Sequence, residues 1–277
     1  MVALPDAHPR VPEFNLAPVK LRRNVLHMAH RGQSVHVACA FSLIEILSVL
    51  YSEFVRRPNG KADDPERDIL ALSKGHGVMA LYACLVEIGW LAQSHLDRYN
   101  TDGSALRGLS ESNIPGVEVT SGSMGHGLPV ATGMAFGLKM KASPRRVYCI
   151  VGDGEMNEGS MWEALSFAGH HKLDNLTVIV DDNGLQAMGA TRDILNLEPF
   201  TDKFSSFGFA VTTCDGHDRP GLSTALRRLL TIEGKPQALV ARTIKGKGVS
   251  FMENENKWHY TRISDEILAR ALQELPL

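Results

Sequence analysis

An α/β fold, doubly wound around a mostly parallel sheet with helices on both faces, is what the sequence predicts from three observations. Apolar runs of strand length alternate with segments of helical periodicity, the signature of strand–helix crossover units. One such run, VYCIV at 147–151, passes directly into Gly152, Asp153 and Gly154. A second, LTVIV at 176–180, ends in Asp181, Asp182 and Asn183, about thirty residues after Asp153. An open parallel sheet gathers the carboxyl ends of its strands at one rim, where ligands bind, so this pattern brings Asp153 and Asn183 together.

Along the chain, residues 1–18 are rich in proline and read as an extended arm, and 19–277 as a single domain. Leu21, Val25, Met28 and Ala29 follow helical spacing, and 41–54 reads as a second apolar helix ending at Pro58, Asn59 and Gly60. A short strand at 68–72 leads into Ser73, Lys74, Gly75 and His76, and a helix over 78–88 stops at Gly89. The glycine-rich stretch 116–127 precedes a helix at 130–139. After the Gly-Asp-Gly turn a helix starts near Glu158 and leads to the strand that ends in Asn183. Then come a strand at 209–214, a helix at 222–232, a strand at 238–243, a loop over 245–259 and a last helix at 265–275. No internal repeat or low-complexity linker divides 19–277.

Composition excludes several classes. The 277 residues are 44% hydrophobic, enough for a sizeable core, and the formal net charge of -2 gives no whole-chain field for nucleic acid or an acidic membrane. Cys39, Cys84, Cys149 and Cys214 are far apart in apolar surroundings, without the CxxC spacing of a zinc or redox pair, and read as buried free thiols. No apolar run approaches the length of a membrane helix, and the start lacks a signal-peptide pattern. The reading is a soluble, cytoplasmic protein.

Asp153 and Asn183 offer a carboxylate and an amide oxygen, a pair suited to a hard cation such as Mg2+ or Ca2+. The glycines flanking Asp153 let the backbone approach a bulky anion, and the helix that follows turns its positive end toward it. A metal with a diphosphate is the ligand this suggests. Gly-Asp-Gly alone is also a common strand-to-helix turn. The second strand end, at the right spacing, favours the functional reading.

The stretch GDGEMNEGSMWEALSFAGHHKLDNLTVIVDDN resembles the cofactor-binding segment of transketolases, which are thiamine diphosphate enzymes. SKGH, PGVEVTSGSMGHG and KGKGVSFMENENKWHY resemble three further transketolase segments in the same order, so the likeness covers about residues 20 to 260. It implies that Asp153, Asn183 and the backbone carbonyl of Leu185 hold the metal. It also implies that Gly154 offers its amide to the diphosphate, with His76 and Lys245 as further donors. Gly122 and Met124 match positions whose backbone contacts the aminopyrimidine ring, and Glu158 matches a glutamate that reaches toward the partner subunit. His36, His76 and His259 fall where transketolases place histidines around the cofactor and the sugar's first hydroxyls. His126 stands beside the glycine-rich loop, where a polar supporting role is open. His27, His30, His95, His170 and His217 match no motif.

One departure stands out. Transketolases carry Gly-His-Pro-Glu shortly before PGVEV, and that histidine reaches the substrate; here the residues are Gly108, Leu109, Ser110 and Glu111. Leucine neither donates nor accepts a hydrogen bond, so either the sugar side of the pocket is altered or the loop is shifted and another group fills the place. The resemblance also implies a glutamate that activates the cofactor from a separate pyrimidine-binding domain, which the chain does not contain. The expectation is the N-terminal subunit of a split transketolase that transfers a two-carbon ketol unit from a ketose to an aldose, completed by a separately encoded subunit in an α2β2 heterotetramer. Rival readings are the α subunit of a 2-oxo acid dehydrogenase and a non-catalytic homologue that binds the cofactor.

Overall fold

The computed structural model describes residues 16–277, so the arm expected at 1–18 lies outside the described residues except at its end. Helix α1 (Pro18–Arg31) starts with proline in its first turn, where a missing N–H breaks no helical hydrogen bond. Its buried residues include Leu21, Val25 and Met28, at the spacing read from the sequence. Strand β1 (Ser34–Val35) leads to α2 (Val37–Phe41) and α3 (Ile44–Val49), and α3 runs on as a π-helical turn over Leu50–Phe54. The single helix expected at 41–54 is therefore broken at Ser42 and Leu43. Ser42 turns its hydroxyl inward there, 2.7 Å from Asp181 Oδ2, a bond that an uninterrupted helix does not provide.

Next come β2 (Ile69–Leu72), a 3-10 turn (Gly75–Gly77), α4 (Val78–Glu87), α5 (Gln93–Asp97), α6 (Gly127–Met140) and β3 (Val147–Gly152). A 3-10 turn (Gly154–Asn157) separates β3 from α7 (Gly159–His170), followed by β4 (Leu176–Asp182), α8 (Thr191–Leu195) and α9 (Phe200–Ser206). The chain closes with β5 (Ala210–Asp215), α10 (Arg219–Leu230), β6 (Gln237–Arg242), β7 (Thr261–Arg262) and α11 (Asp265–Gln273).

Five strands form a parallel sheet in the order β2-β3-β4-β6-β5, and β1 pairs with β7 antiparallel at the edge of the site. Successive side chains of a strand point to opposite faces. Tyr148, Ile150 and Ile179 accordingly join the core beneath α1, α3, α4 and α10. Val147, Cys149, Val151 and Val178 join the core beneath α6, α7 and α9. Both faces are thus covered, as an all-parallel sheet requires, and the doubly wound expectation is borne out. Cys39, Cys84 and Cys149 are buried as expected. Cys214 is only half-buried, because it lies on the edge strand β5. Among the described residues no helix is long and apolar enough to cross a membrane.

A buried polar chain ties the first helices to the loop after β6. Arg22 binds Glu45 through two hydrogen bonds, of 2.7 and 2.9 Å, and donates from Nε to the Lys247 carbonyl at 2.7 Å. Glu45 Oε2 lies 2.9 Å from Nδ1 of His217, whose Nε2 accepts the Ile244 N–H at 2.8 Å. That acceptance fixes the tautomer, so Nδ1 carries the proton donated to Glu45. His217 therefore supports the loop carrying Lys245 without lining the site. Burial pushes the Glu45 carboxyl up, but its hydrogen bonds to His217 and Arg22 outweigh this and hold it below its usual 4.5. The resulting stability is full above 4.5 and is lost as pH falls through the lower folded value. Glu45→Ala, which strands a buried guanidinium, should cost about 3–5 kcal/mol in urea unfolding at neutral pH. The gap from wild type should narrow below pH 4.5; equal unfolding midpoints at neutral pH would contradict the assignment.

Candidate functional site

The register of β3 and β4 pairs Gly152 with Asp181, so Asp153 and Asn183 emerge at neighbouring strand ends. Asp153 is buried; its Oδ1 accepts the Gly154 N–H at 2.8 Å, and its Oδ2 accepts the Gly184 N–H at 2.8 Å and the Thr191 hydroxyl at 2.9 Å. Burial first, and then the neighbouring Asp181 charge, push its carboxyl up. No ion pair to Asp153 is formed among the described residues. Asn183 Oδ1 accepts the Leu185 N–H at 3.1 Å. The Leu185 carbonyl lies 3.4 Å from Lys245 Nζ.

These groups open into a cavity of about 390 Å³ that is also lined by His36, His76, His259, Gly122, Met124, Gly154 and Lys245. The cavity thus gathers every residue expected at the site except Glu158. Glu158 takes the N-cap position of α7, half-buried against Gly125 and outside the cavity. His126 is exposed, with Nδ1 3.1 Å from the Met124 carbonyl.

Loops from three strand ends are stitched together beneath the cavity. Ser73 donates its hydroxyl to Glu155 Oε1 at 2.6 Å, and the same oxygen accepts the Gly125 N–H at 3.1 Å. Gly75 passes under the backbone of Ser121, where a Cβ would lie 2.5 Å from the carbonyl group, so no other residue fits. Lys74, buried just past β2, forms a short hydrogen-bonded ion pair with Asp181. Burial alone would push the Lys74 ammonium down, and the Asp181 carboxylate holds it above its usual value. Burial likewise pushes Asp181 up, and Lys74 outweighs it. Sequence reasoning passed over Lys74, Asp181, Glu155 and Cys39. The available signal was strand alternation, which puts Asp181 and Asn183 on one side of β4 and sends Asp182 to the other, where it pairs with Arg242 at 2.9 Å.

Three imidazoles form one wall. The ring centres of His36 and His76 are 5.1 Å apart, those of His36 and His259 5.4 Å, and those of His76 and His259 5.5 Å. Lys245 Nζ lies 2.7 Å from His259 Nδ1. Burial, then the Lys245 charge, pushes His36 down to about 4. The same two causes push His259 down to about 3, and burial with Lys74 pushes His76 well below its usual value. All three rings are neutral near pH 7.

Leu109 is the residue of its segment that reaches the cavity, and it packs against Gly122, its Cδ1 2.8 Å from where a Cβ would stand. Gly122 has φ +137°, outside the range of ordinary residues. Ser110 turns away and donates to the Val119 carbonyl at 2.8 Å. The alternative that a shifted loop brings a polar neighbour into this place is not what the structure shows.

Residues 19–275 match the family described as transketolase, thiamine diphosphate binding domain. The chain belongs to the transketolase family. It is 39% identical over 255 residues to an apulose-4-phosphate transketolase subunit of Actinobacillus succinogenes, covering 92% of each chain. It is 39% identical over 241 residues to the 6-deoxy-6-sulfo-D-fructose transketolase subunit SqwG of a Clostridium species, covering 87% of this chain and 88% of that one. The structure of transketolase from Leishmania mexicana superposes with a TM-score of 0.87 at 30% identity, over 93% of this chain and 40% of that enzyme. The chain therefore spans about 40% of the length of that solved transketolase and nearly all of the two subunits. It is a transketolase-type transferase subunit with a thiamine diphosphate-binding domain, as the resemblance implied.

In the isolated chain, the ring-proton signals of His36 and His259 should titrate near pH 4 and pH 3. Because the unfolded rings titrate at about 6.5, the stability these two neutral rings contribute is full above that value and is lost as pH falls through the folded values. Nuclear magnetic resonance with single-histidine variants checks this; titration of either ring near pH 6.5 would contradict it.

Proposed function

We propose that this chain is the diphosphate-binding subunit of a split transketolase, which moves a two-carbon ketol unit from a ketose to an aldose with thiamine diphosphate. The observation that carries this reading is the convergence of Asp153, Asn183 and three neutral histidines on one cavity at the carboxyl ends of β3 and β4. A buried carboxylate without an ion pair among the described residues, an amide oxygen and a backbone carbonyl form an all-oxygen donor set, which fits Mg2+ or Ca2+. In this reading Asp153, Asn183 and the Leu185 carbonyl hold the metal. Gly154, His76 and Lys245 meet the diphosphate, and the backbone at Gly122 and Met124 meets the aminopyrimidine ring. Glu158, outside the cavity, faces the partner subunit.

When bound, thiamine diphosphate supplies the nucleophilic carbon and the electron sink of the reaction. The chain's own groups orient the sugar and move its protons. With Lys245 donating to Nδ1 of His259, the Nε2 of that ring carries the proton and donates to a hydroxyl. His36 and His76, neutral at working pH, accept hydroxyl protons without first losing one of their own. Leu109 puts methyl groups where a polar contact to the sugar is expected, and so narrows the choice of donor or acceptor.

The remaining parts come from elsewhere in this proposal: a separately encoded subunit with the pyrimidine-binding domain, joined as an α2β2 heterotetramer in the cytoplasm around 19–277 as one domain. The names of the two full-length relatives, each a transketolase subunit, support that division.

Purified alone, the chain should show no ketol transfer; robust turnover without a second protein would overturn the split reading. In the assembled complex, Asp153→Ala or Asn183→Ala should weaken metal-dependent cofactor binding by more than the roughly 10–100-fold that outer-shell partners of a metal contribute. Calorimetry showing wild-type affinity in both would remove the metal assignment. Leu109→His should change the donor and acceptor profile in a sugar screen, and an unchanged profile would return Leu109 to a packing role.

A further inference from the structure

We propose that Cys39, His76 and His259 form a second metal site in the cavity, for a soft divalent cation such as Zn2+. The inference goes beyond the proposed function and does not depend on it. One ligand atom from each of the three residues lies within 4.8 Å of the others. A tetrahedral zinc ion, with bonds of about 2.3 Å to sulfur and about 2.0–2.1 Å to nitrogen, needs ligand atoms roughly 3.5 Å apart. Cys39 Sγ already lies 3.7 Å from His259 Nδ1. The other ligand atoms, within 4.8 Å of one another, must close to that spacing as the ion enters.

The donor set selects the metal. A thiol and two imidazoles suit zinc and its soft neighbours and do not suit Mg2+, whereas Asp153, Asn183 and the Leu185 carbonyl offer only oxygen. The imidazoles are neutral, the form that binds metal. Burial pushes the Cys39 thiol up, against the pull of Lys74 and Lys245, so the cysteine enters the site protonated. Binding replaces the S–H bond with a sulfur–metal bond and releases the proton to solvent. The two lysines oppose an incoming cation, and the hydrogen bond from Lys245 to His259 must break. The thiolate cancels one of the two charges the ion brings, which a site made of histidine alone would not do.

Cys39 touches His259 but is itself assigned to neither cofactor nor sugar, so its substitution removes a ligand of this site alone. The full-length chain, kept reduced and saturated with Mg2+, is titrated with Co2+ as a spectroscopic stand-in for zinc. A thiolate-to-cobalt charge-transfer band with the absorption of four-coordinate cobalt should appear and be bleached by Zn2+. Cys39→Ala should abolish the band, His259→Ala should weaken Co2+ binding by about tenfold or more, equivalent to about 1.4 kcal/mol, and Asp153→Ala should leave the band in place. No band in the wild type, a band that survives Cys39→Ala, or a band lost in a folded Asp153→Ala would overturn the proposal. Should Cys39→Ala fail to fold by circular dichroism, His76→Ala and His259→Ala decide it: unchanged affinity in both overturns the site.

Discussion

The ion pair between Lys74 and Asp181 is the contact on which the rest of the site depends. Lys74 leaves the end of β2, lays its stem over Gly152 at the end of β3, and reaches the carboxylate at the end of β4. Thr243, just past β6, donates to the other oxygen of that carboxylate, and Ser42 approaches from the break between α2 and α3. One buried carboxylate therefore ties four strand ends to the helical layer. Burying two charges costs several kcal/mol for each ion, and their attraction offsets this only when further hydrogen bonds complete the geometry. The hydroxyls supply those bonds. The pair is consequently a fixing device more than a source of stability: it sets where Asp153 and Asn183 leave the sheet.

The same pair organises the charge of the cavity. Asp153 lacks a direct cationic partner among the described residues, and burial beside Asp181 favours its neutral form. Lys74 opposes that effect from across the strand ends. On the other wall, burial and then the charge of Lys245 strip His36 and His259 of their protons. A hard cation is welcome beside Asp153, whereas a cation that reaches His259 must displace the Lys245 hydrogen bond, although both groups line one cavity. That asymmetry separates a hard oxygen site from a wall of neutral nitrogen donors.

Much of this was legible in the sequence wherever the signal is local. The glycine turn after 147–151, the asparagine after 176–180 and the motif histidines each sit where one strand or loop ends, and alternation along the chain gives the parallel sheet. What was illegible depends on pairing between distant segments. Nothing near Ser42 marks a helix break, because the atom that draws its hydroxyl inward is on Asp181, 139 residues away. Nothing within the SKGH turn marks Lys74, and only the strand order β2-β3-β4 shows that it reaches Asp181. Cys39 reads as an inert core thiol because its partner, His259, comes from a loop at the far end of the chain. Glu158 follows the glycine turn closely in sequence, yet the 3-10 turn between them swings it to the far side of Gly125.

The cavity's mouth bears on why such a site would be shared between chains. Leu109 is 41% exposed, Met124 50% and Met188 81%, so three large apolar side chains border an interior lined by charge and hydrogen-bonding groups. Scattered exposed apolar residues need no explanation, but several around one cavity mouth suit a surface that another molecule covers. Covering it would also exclude water from the neutral histidines and strengthen each electrostatic contact within. A partner seated on this rim would complete the pocket and dry it in one step. The proposed division of labour would then have a geometric basis: this chain fixes the charged floor of the site, and its apolar mouth suits a chain that forms the roof.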